Sequence, residues 1–244
     1  MEWQDEAIVL GLRSHGETSA IAELFTAKHG RHLGLVRGGR SRRSRPILQP
    51  GNLVSAVWRA RLDEHLGQFT IELIEPIASH FFDDVPALAG LNTLCAELSL
   101  FAERDQHEAL YNGALTLLCE MQASDIWPGL LARFELELLS ELGFGLDLSA
   151  CAGGGKSDDL IYVSPKSGRS VSRDVGEPYK DKLLDLPQFL RGDLSKEILP
   201  GDVLQGLKLT GFFLERDVWG PRGMSPFTAR QNLISILKRQ YQEG

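Results

Sequence analysis

Nine Lys and Arg side chains fall between Leu24 and Leu62, and no Asp or Glu lies among them. They are Lys28, Arg31, Arg37, Arg40, Arg42, Arg43, Arg45, Arg59 and Arg61. The chain of 244 residues has a formal net charge of −7, so its remainder is strongly acidic. A positive field on an otherwise acidic molecule draws a polyanion to one face and repels it from the others. The residue type narrows the polyanion, because a guanidinium fork matches phosphate oxygens and reads no base. All nine are candidate nucleic-acid contacts. The densest stretch, Arg37 to Pro46, is rich in Gly and Ser and is expected to be a mobile loop between two strands. A merely solubilising loop is the alternative, since short basic runs are weakly specific. Aromatic partners for bases are sparse here: Phe25, Trp58 and His32. Backbone electrostatics is therefore expected to dominate over stacking. Trp58 could serve as a stacking platform or pack into a core, and strand aromatics most often pack inward.

Catalytic patterns are not legible. Gly153-Gly154-Gly155-Lys156-Ser157 imitates the end of a phosphate loop, but the glycine required five residues before Gly155 is Ala150. That motif must also follow a buried strand and open a helix. Here Leu146–Leu148 is too short for the strand, and the residues after Ser157 read as a strand. His15, His80, Asp83 and Asp84 read as solvated or capping residues. His29 and His32 form the only close histidine pair, without further ligands nearby. The three cysteines, Cys95, Cys119 and Cys151, are odd in number and form no C-x-x-C pair. Cys95 and Cys119 lie in apolar helical runs, where a thiol behaves as a small buried hydrophobe. No catalytic residue, cofactor or metal is assigned.

Two halves of different period must position these groups. Phe69-Thr70-Ile71-Glu72-Leu73 alternates, as a half-buried strand does, and Ala7–Leu12 and Leu53–Trp58 are rich in apolar and β-branched residues. Turn residues at Ser14–Gly16, Lys28–Gly30, Pro50–Asn52 and His65–Gly67 separate five strands, near 5–13, 20–27, 31–37, 52–61 and 67–78. Five short strands predict a small barrel of the OB-fold type, ahead of a two-sheet sandwich. After Pro86 the apolar residues recur every three or four positions: Leu88, Leu91, Leu94, Cys95 and Leu98, then Leu110, Ala114, Leu117, Leu118 and Met121, then Leu130, Leu131, Phe134, Leu138 and Leu142. Gly143 follows where a helix C-terminal glycine is expected. Residues 146–176 break this pattern with a hairpin around Leu160–Val163, and helices resume near 180–191, 200–216 and 226–242.

The expected fold is α+β. An N-terminal OB-fold barrel spans 1–80, and a helical domain spans 81–244 with a hairpin inserted at 146–176. No window is apolar enough to span a membrane, and the acidic start Glu2, Asp5, Glu6 is unlike a signal peptide, so a cytoplasmic location is expected.

Several runs resemble the RecO family of bacterial DNA repair and recombination mediators. His29-Gly30-Arg31, Val36 through Ser41, Leu48-Gln49-Pro50-Gly51 and Trp58-Arg59-Ala60-Arg61 look like that family's N-terminal domain. Phe134 through Leu139, Leu142-Gly143-Phe144, Asp147-Leu148 and Cys151 resemble its helix leading into a metal finger. The resemblance implies a DNA-binding protein without enzymatic activity. It would bind single- and double-stranded DNA, anneal strands, work with RecR, engage the acidic C-terminal tail of single-stranded DNA-binding protein (SSB), and help load RecA. An OB-fold RNA-binding or translation-associated factor is the alternative with the same electrostatics. Many relatives hold zinc through four cysteines; here Cys151 matches the first, while the other three positions fall at Gly154 and near Ser172 and Val175. One thiolate cannot form a tetrahedral site, so packing, with Tyr162 and Val171 as candidates, is expected to hold the hairpin.

An acidic, apolar tail needs an apolar slot with cations beside it. Trp219, Arg222 and Phe227, followed by Arg230, gather aromatic and basic groups at the entrance to the final helix and are the candidate partner-binding residues. Trp219 and Phe227 could equally staple that helix to its neighbours.

Overall fold

The computed structural model describes residues 1–192 and 198–243. The chain divides into two compact units, Met1–Ala123 and Ser124–Gly244.

In the first unit five strands close into a barrel in the order β1-β2-β3-β5-β4. They are β1 (Glu2–His15), β2 (Ser19–Thr26), β3 (Gly30–Val36), β4 (Leu53–Arg59) and β5 (Gln68–Glu75). This is the OB-like barrel that the strand period predicts. The long β1 serves two neighbours. Its first half pairs with β4, from Glu2↔Arg59 to Ile8↔Leu53. Its second half pairs with β2, and the register shifts between Val9 and Gly11. A bulge of this kind bends a strand enough to turn a sheet into a barrel. Closure comes from a short parallel contact, Leu35↔Gln68, with the Leu35 N–H donating to the Gly67 carbonyl at 3.1 Å.

Ala7, Ala22 and Ala56 leave room in the core for Trp58 and Phe69. Two glycines are required by close approach. A Cβ at Gly34 would lie 2.4 Å from the Phe69 ring, and one at Gly67 (φ +64°) 2.3 Å from Trp58 Nε1. Trp58 is fully buried and donates from Nε1 to the Leu66 carbonyl at 3.0 Å. It is a core residue and offers no face to a base.

The segment after β3 is more ordered in conformation than a Gly/Ser-rich loop suggests, because a short helix, α1 (Ser44–Ile47), forms within it. Beyond the barrel, α2 (Val85–Leu98) starts at Asp84, whose carboxylate accepts from the Ala87 N–H at 2.9 Å. It packs on β1, where the Cys95 thiol lies 3.7 Å from the Val9 carbonyl. With α3 (Glu108–Ala123) it belongs to the same compact unit as the barrel. The change of sequence period near residue 80 thus marks the end of the strands, while the compact unit runs on to Ala123. Cys119 is exposed, not a buried hydrophobe.

The second unit begins with α4 (Trp127–Glu141), closed by Gly143 at φ +86°. A small sheet of order β7-β6-β8 follows, made of β6 (Leu160–Val163), β7 (Ser170–Ser172) and β8 (Leu184–Asp185), with the one-turn α5 (Arg173–Gly176) after β7. The hairpin is where the sequence puts it, but the helix expected near 180–191 is not formed. Glu177–Lys182 and Gln188–Arg191 are 3-10 turns on either side of β8. Pro187 lacks the N–H that the interior of such a helix needs, and β6 offers a free edge to Leu184 and Asp185 instead. Then come α6 (Pro200–Phe213), a π turn (Leu214–Trp219) and α7 (Thr228–Glu243). Among the described residues no helix is long and apolar enough to cross a membrane.

A buried ion pair joins α4 to α7. Arg230 donates from Nε and Nη2 to Glu135 at 2.7 and 2.9 Å, and from Nη2 to the Leu207 carbonyl at 2.6 Å. The Thr210 hydroxyl also donates to Glu135. Removing one partner strands a buried charge, whereas removing both does not. Arg230→Met is therefore expected to cost roughly 3–5 kcal/mol in urea unfolding, with the Glu135→Leu/Arg230→Met double variant closer to wild type than either single one.

Candidate nucleic-acid interface

The β3–β4 connection is anchored along its length. The Arg40 N–H donates to the Thr18 carbonyl at 3.0 Å, and its guanidinium donates to the carbonyls of Gly16 and Glu17 at 2.9 and 3.0 Å. Ser41 Oγ receives the Ser44 N–H at 3.2 Å at the start of α1. Leu48 is buried in the barrel core. Asn52 then holds the carbonyls of Pro46 and Ile47 through Nδ2 at 2.8 and 3.1 Å, and accepts from the Ala78 N–H at 3.0 Å. On this frame Arg37, Arg42, Arg43 and Arg45 are not buried, and none forms an ion pair among the described residues. Four positive charges without carboxylates face water.

The other candidates separate by what already holds them. Arg31 pairs with Glu23 at 2.5 Å through Nη1 and donates from Nε to the Phe101 carbonyl at 2.7 Å, so both of these nitrogens are engaged. Arg59 pairs with Glu2 at 2.8 Å on the surface. That contact holds the Glu2 carboxyl below its ordinary range. Arg40 is engaged at the β1–β2 turn, as above. Arg61 and Lys28 are exposed. Sequence separates none of these cases, because each partner comes from outside the local stretch of chain.

Lys28 borders a pocket of 440 Å³ that also takes Glu2, Trp3, His29, His32, Asp63 and Arg104 into its wall. His29 stacks on Trp3 with ring centroids 4.1 Å apart, and Trp3 lies 5.9 Å from Trp58 in a near-parallel arrangement. His32 meets Trp3 and Trp58 edge-on. Arg104 arrives from the connection between α2 and α3, donates from Nη2 to the His65 carbonyl at 2.9 Å, and lies 5.9 Å from the Trp58 ring centre. The aromatic candidates in the basic segment, Phe25, Trp58 and His32, are all buried. Trp3 and Arg104, which sequence reasoning missed, stand outside that segment, and only the barrel's closure brings them to it. Burial lowers the pKa of both His29 and His32.

In the second unit α6, the π turn and α7 line a groove of 540 Å³. Leu204, Leu207, Phe212, Trp219, Pro226 and Ile234 supply its apolar wall, with Lys208 and Lys238 among its lining cations. Trp219 is buried and meets Phe227 edge-on at 5.7 Å, so the pair does staple the entrance of α7. Arg230 lines the groove but is committed to Glu135, and Arg222 is exposed outside that lining. The lysines were legible in principle: Lys208 is four residues from Leu204 and from Phe212, and Lys238 four from Ile234, which places each on an apolar helix face.

Packing and hydrogen bonds join the strands of the hairpin. Tyr162 pairs with Val171 across β6 and β7, and both are buried. Cys151 Sγ accepts the Ser172 N–H at 3.2 Å and lies 3.3 Å from Ser172 Oγ. Burial raises this thiol's pKa, but bonds from Ser172 and the N–H groups of Gly153 and Gly155 outweigh it and bring it to about 7. A Cβ at Gly155 would lie 2.1 Å from Ser172 Oγ, and one at Gly153 2.5 Å from Val175. No group of three or more His, Cys, Asp or Glu suited to a metal occurs among the described residues.

Comparison with known proteins agrees with this architecture. Residues 1–77 match the family model "Recombination protein O N terminal", and residues 83–225 match "Recombination protein O C terminal". The DNA repair protein RecO of Mesorhizobium japonicum is 52% identical over 241 residues, covering 99% of this chain and 95% of that protein. The protein of that name from Methylobacterium nodulans is 54% identical over 240 residues, covering 97% of this chain and 98% of its own. That of Brucella abortus is 49% identical over 240 residues, with 98% and 97% covered.

The buried histidines predict a pH response. A pKa depressed by folding means that the unfolded chain holds more protons in the window between the two values, so stability falls as pH falls through that window. The window lies below 6.5, the ordinary histidine value. The His32 ring proton resonance is expected to titrate below that pH, and the barrel's unfolding midpoint to decline from pH 7 towards pH 5. A titration at or above 6.5 would contradict the burial argument.

Proposed function

Since the chain belongs to the RecO family of DNA repair proteins, we propose that it is a non-enzymatic recombination mediator that binds single- and double-stranded DNA through the β3–β4 connection. The observation that carries this reading is the set Arg37, Arg42, Arg43 and Arg45, facing water on an anchored frame with no carboxylate partner. Lys28 and Arg61 extend the set. Phosphates would replace water on these forks and release counterions from the DNA, which gives affinity without base preference. The acidic remainder of the molecule confines DNA to that face. Neutralising phosphates on two strands together lowers their mutual repulsion, and this is how such a surface would anneal complementary strands. In the same reading the protein works in the cytoplasm with RecR and helps load RecA onto DNA coated with SSB.

The groove of the second unit suits the acidic, apolar tail of SSB. Its apolar wall would take the hydrophobic side chains, and Lys208 and Lys238 would take carboxylates. These two lysines replace Arg222 and Arg230 as the cations proposed for that contact. The RecR and RecA contacts are proposed from family membership alone.

Replacing Arg42, Arg43 and Arg45 with Ala is expected to weaken binding of all DNA sequences alike. Every arginine–phosphate pairing removed should reduce the magnitude of the log–log salt slope by about 0.7 for single strands. Anisotropy titrations across a salt series check this, and an unchanged slope would remove the connection from the interface. Preference for matched RNA would instead favour an RNA-binding role. For the groove, Lys208→Glu/Lys238→Glu, with folding verified by circular dichroism, should weaken binding of the SSB tail peptide by about tenfold or more, as expected when charge-assisted hydrogen bonds turn repulsive. Unchanged peptide affinity would place that contact elsewhere.

A further inference from the structure

We propose that the pocket walled by Trp3, His29, Lys28 and Arg104 is a single-nucleotide subsite, in which a base stacks against the aromatic column and its phosphate meets the two cations. The proposal rests on the DNA-binding reading above and names a separate place and a different interaction within it. Three rings run in series: Trp58, fully buried; Trp3, partly buried; and His29, also partly buried, stacked 4.1 Å from Trp3. A flat π-surface that continues a column begun in the core is held rigid before any ligand arrives. The β2–β3 turn that carries His29 is fixed as well. The Lys28 N–H donates to Asp5 at 3.1 Å, and the His29 N–H donates to Thr26 Oγ1 at 2.9 Å.

Arg104 supplies an independent observation. Among the described residues it is the one non-glycine at positive φ, +68°, a region that a long side chain rarely occupies. Its Nη2 is held by the His65 carbonyl, yet its buried Nε has no hydrogen-bond partner, with Glu103 no closer than 3.8 Å. A strained backbone beneath an incompletely hydrogen-bonded guanidinium is the kind of feature found at ligand clamps. The pocket volume of 440 Å³ is on the scale of a nucleotide. Glu2 and Asp63 share the wall, although Glu2 is already paired with Arg59. Two carboxylates beside two cations disfavour a bare anion, so the aromatic face must supply much of the selectivity. That requirement singles out a nucleotide over free phosphate.

Stacking and charge can be separated with oligothymidylate and an abasic strand of equal length and charge. Wild type is expected to prefer the thymidine strand by about fivefold or more, the lower end of base–aromatic stacking. His29→Ala, checked for folding by circular dichroism, should erase that preference while leaving the salt slope unchanged. The Trp3 indole resonance should shift when thymidine 5′-monophosphate is added to the wild-type protein. Wild type binding both strands equally, or His29→Ala retaining the preference, would overturn the subsite and leave the basic connection as the DNA contact. Binding of neither strand at low salt would overturn the DNA-binding reading and the subsite together.

Discussion

The barrel depends on one space-filling constraint, the burial of Trp58 among small residues. An indole of that size at the centre of a five-stranded barrel requires Ala7, Ala22 and Ala56 around it, and Gly67 where the β4–β5 connection crosses its edge. The same indole fixes that connection by donating to Leu66, and it lies beside Trp3, His32 and Arg104. Burial of such a ring contributes on the order of 2–3 kcal/mol. Its larger effect is geometric. Interiors pack as tightly as molecular crystals, so a residue that touches several structural segments transmits its position to all of them. The pocket at the Lys28–Gly30 turn is in this sense the outer end of the core.

Electrostatics then decides which cations are available. The acid-free segment carries nine of them, but Arg31, Arg40 and Arg59 are held by Glu23 and Phe101, by Gly16 and Glu17, and by Glu2. A guanidinium already bonded within the protein must give up or share those bonds to meet phosphate oxygens. One facing only water gains the full release of counterions. The division between structural and ligand-seeking arginines therefore follows from which donors are already satisfied rather than from charge density. The second unit repeats the pattern. Arg230 holds α4 to α7 through Glu135, which leaves Lys208 and Lys238 beside the apolar groove.

The hairpin is a small insertion whose strands are joined by packing and hydrogen bonds. The Cys151 sulfur accepts hydrogen bonds from Ser172 and from two glycine amides. Gly153 and Gly155 allow Val175 and Ser172 to approach so closely that no space remains for ligating side chains at those glycines. That close side-chain packing requires glycine at both positions.

Sequence alone determined the properties that repeat locally. The alternation in Phe69–Leu73, the three-and-four spacing from Leu88 to Leu142, the glycine at 143 and the run of cations without acids are all visible within a few residues of one another. They yielded the barrel, the principal helices, the hairpin and the basic connection. They failed at 180–191, where a strand pairing with Tyr162 and Val163 competes with helix and Pro187 interrupts the helix. Only the tertiary structure decided which cations are engaged and which aromatic rings are reachable. The Arg104 bond to His65 spans 39 residues, and the Arg230 bond to Glu135 spans 95. Charge and periodicity are properties of a segment, whereas the partner of a hydrogen bond is set by which distant segment the packed core brings within about 3 Å.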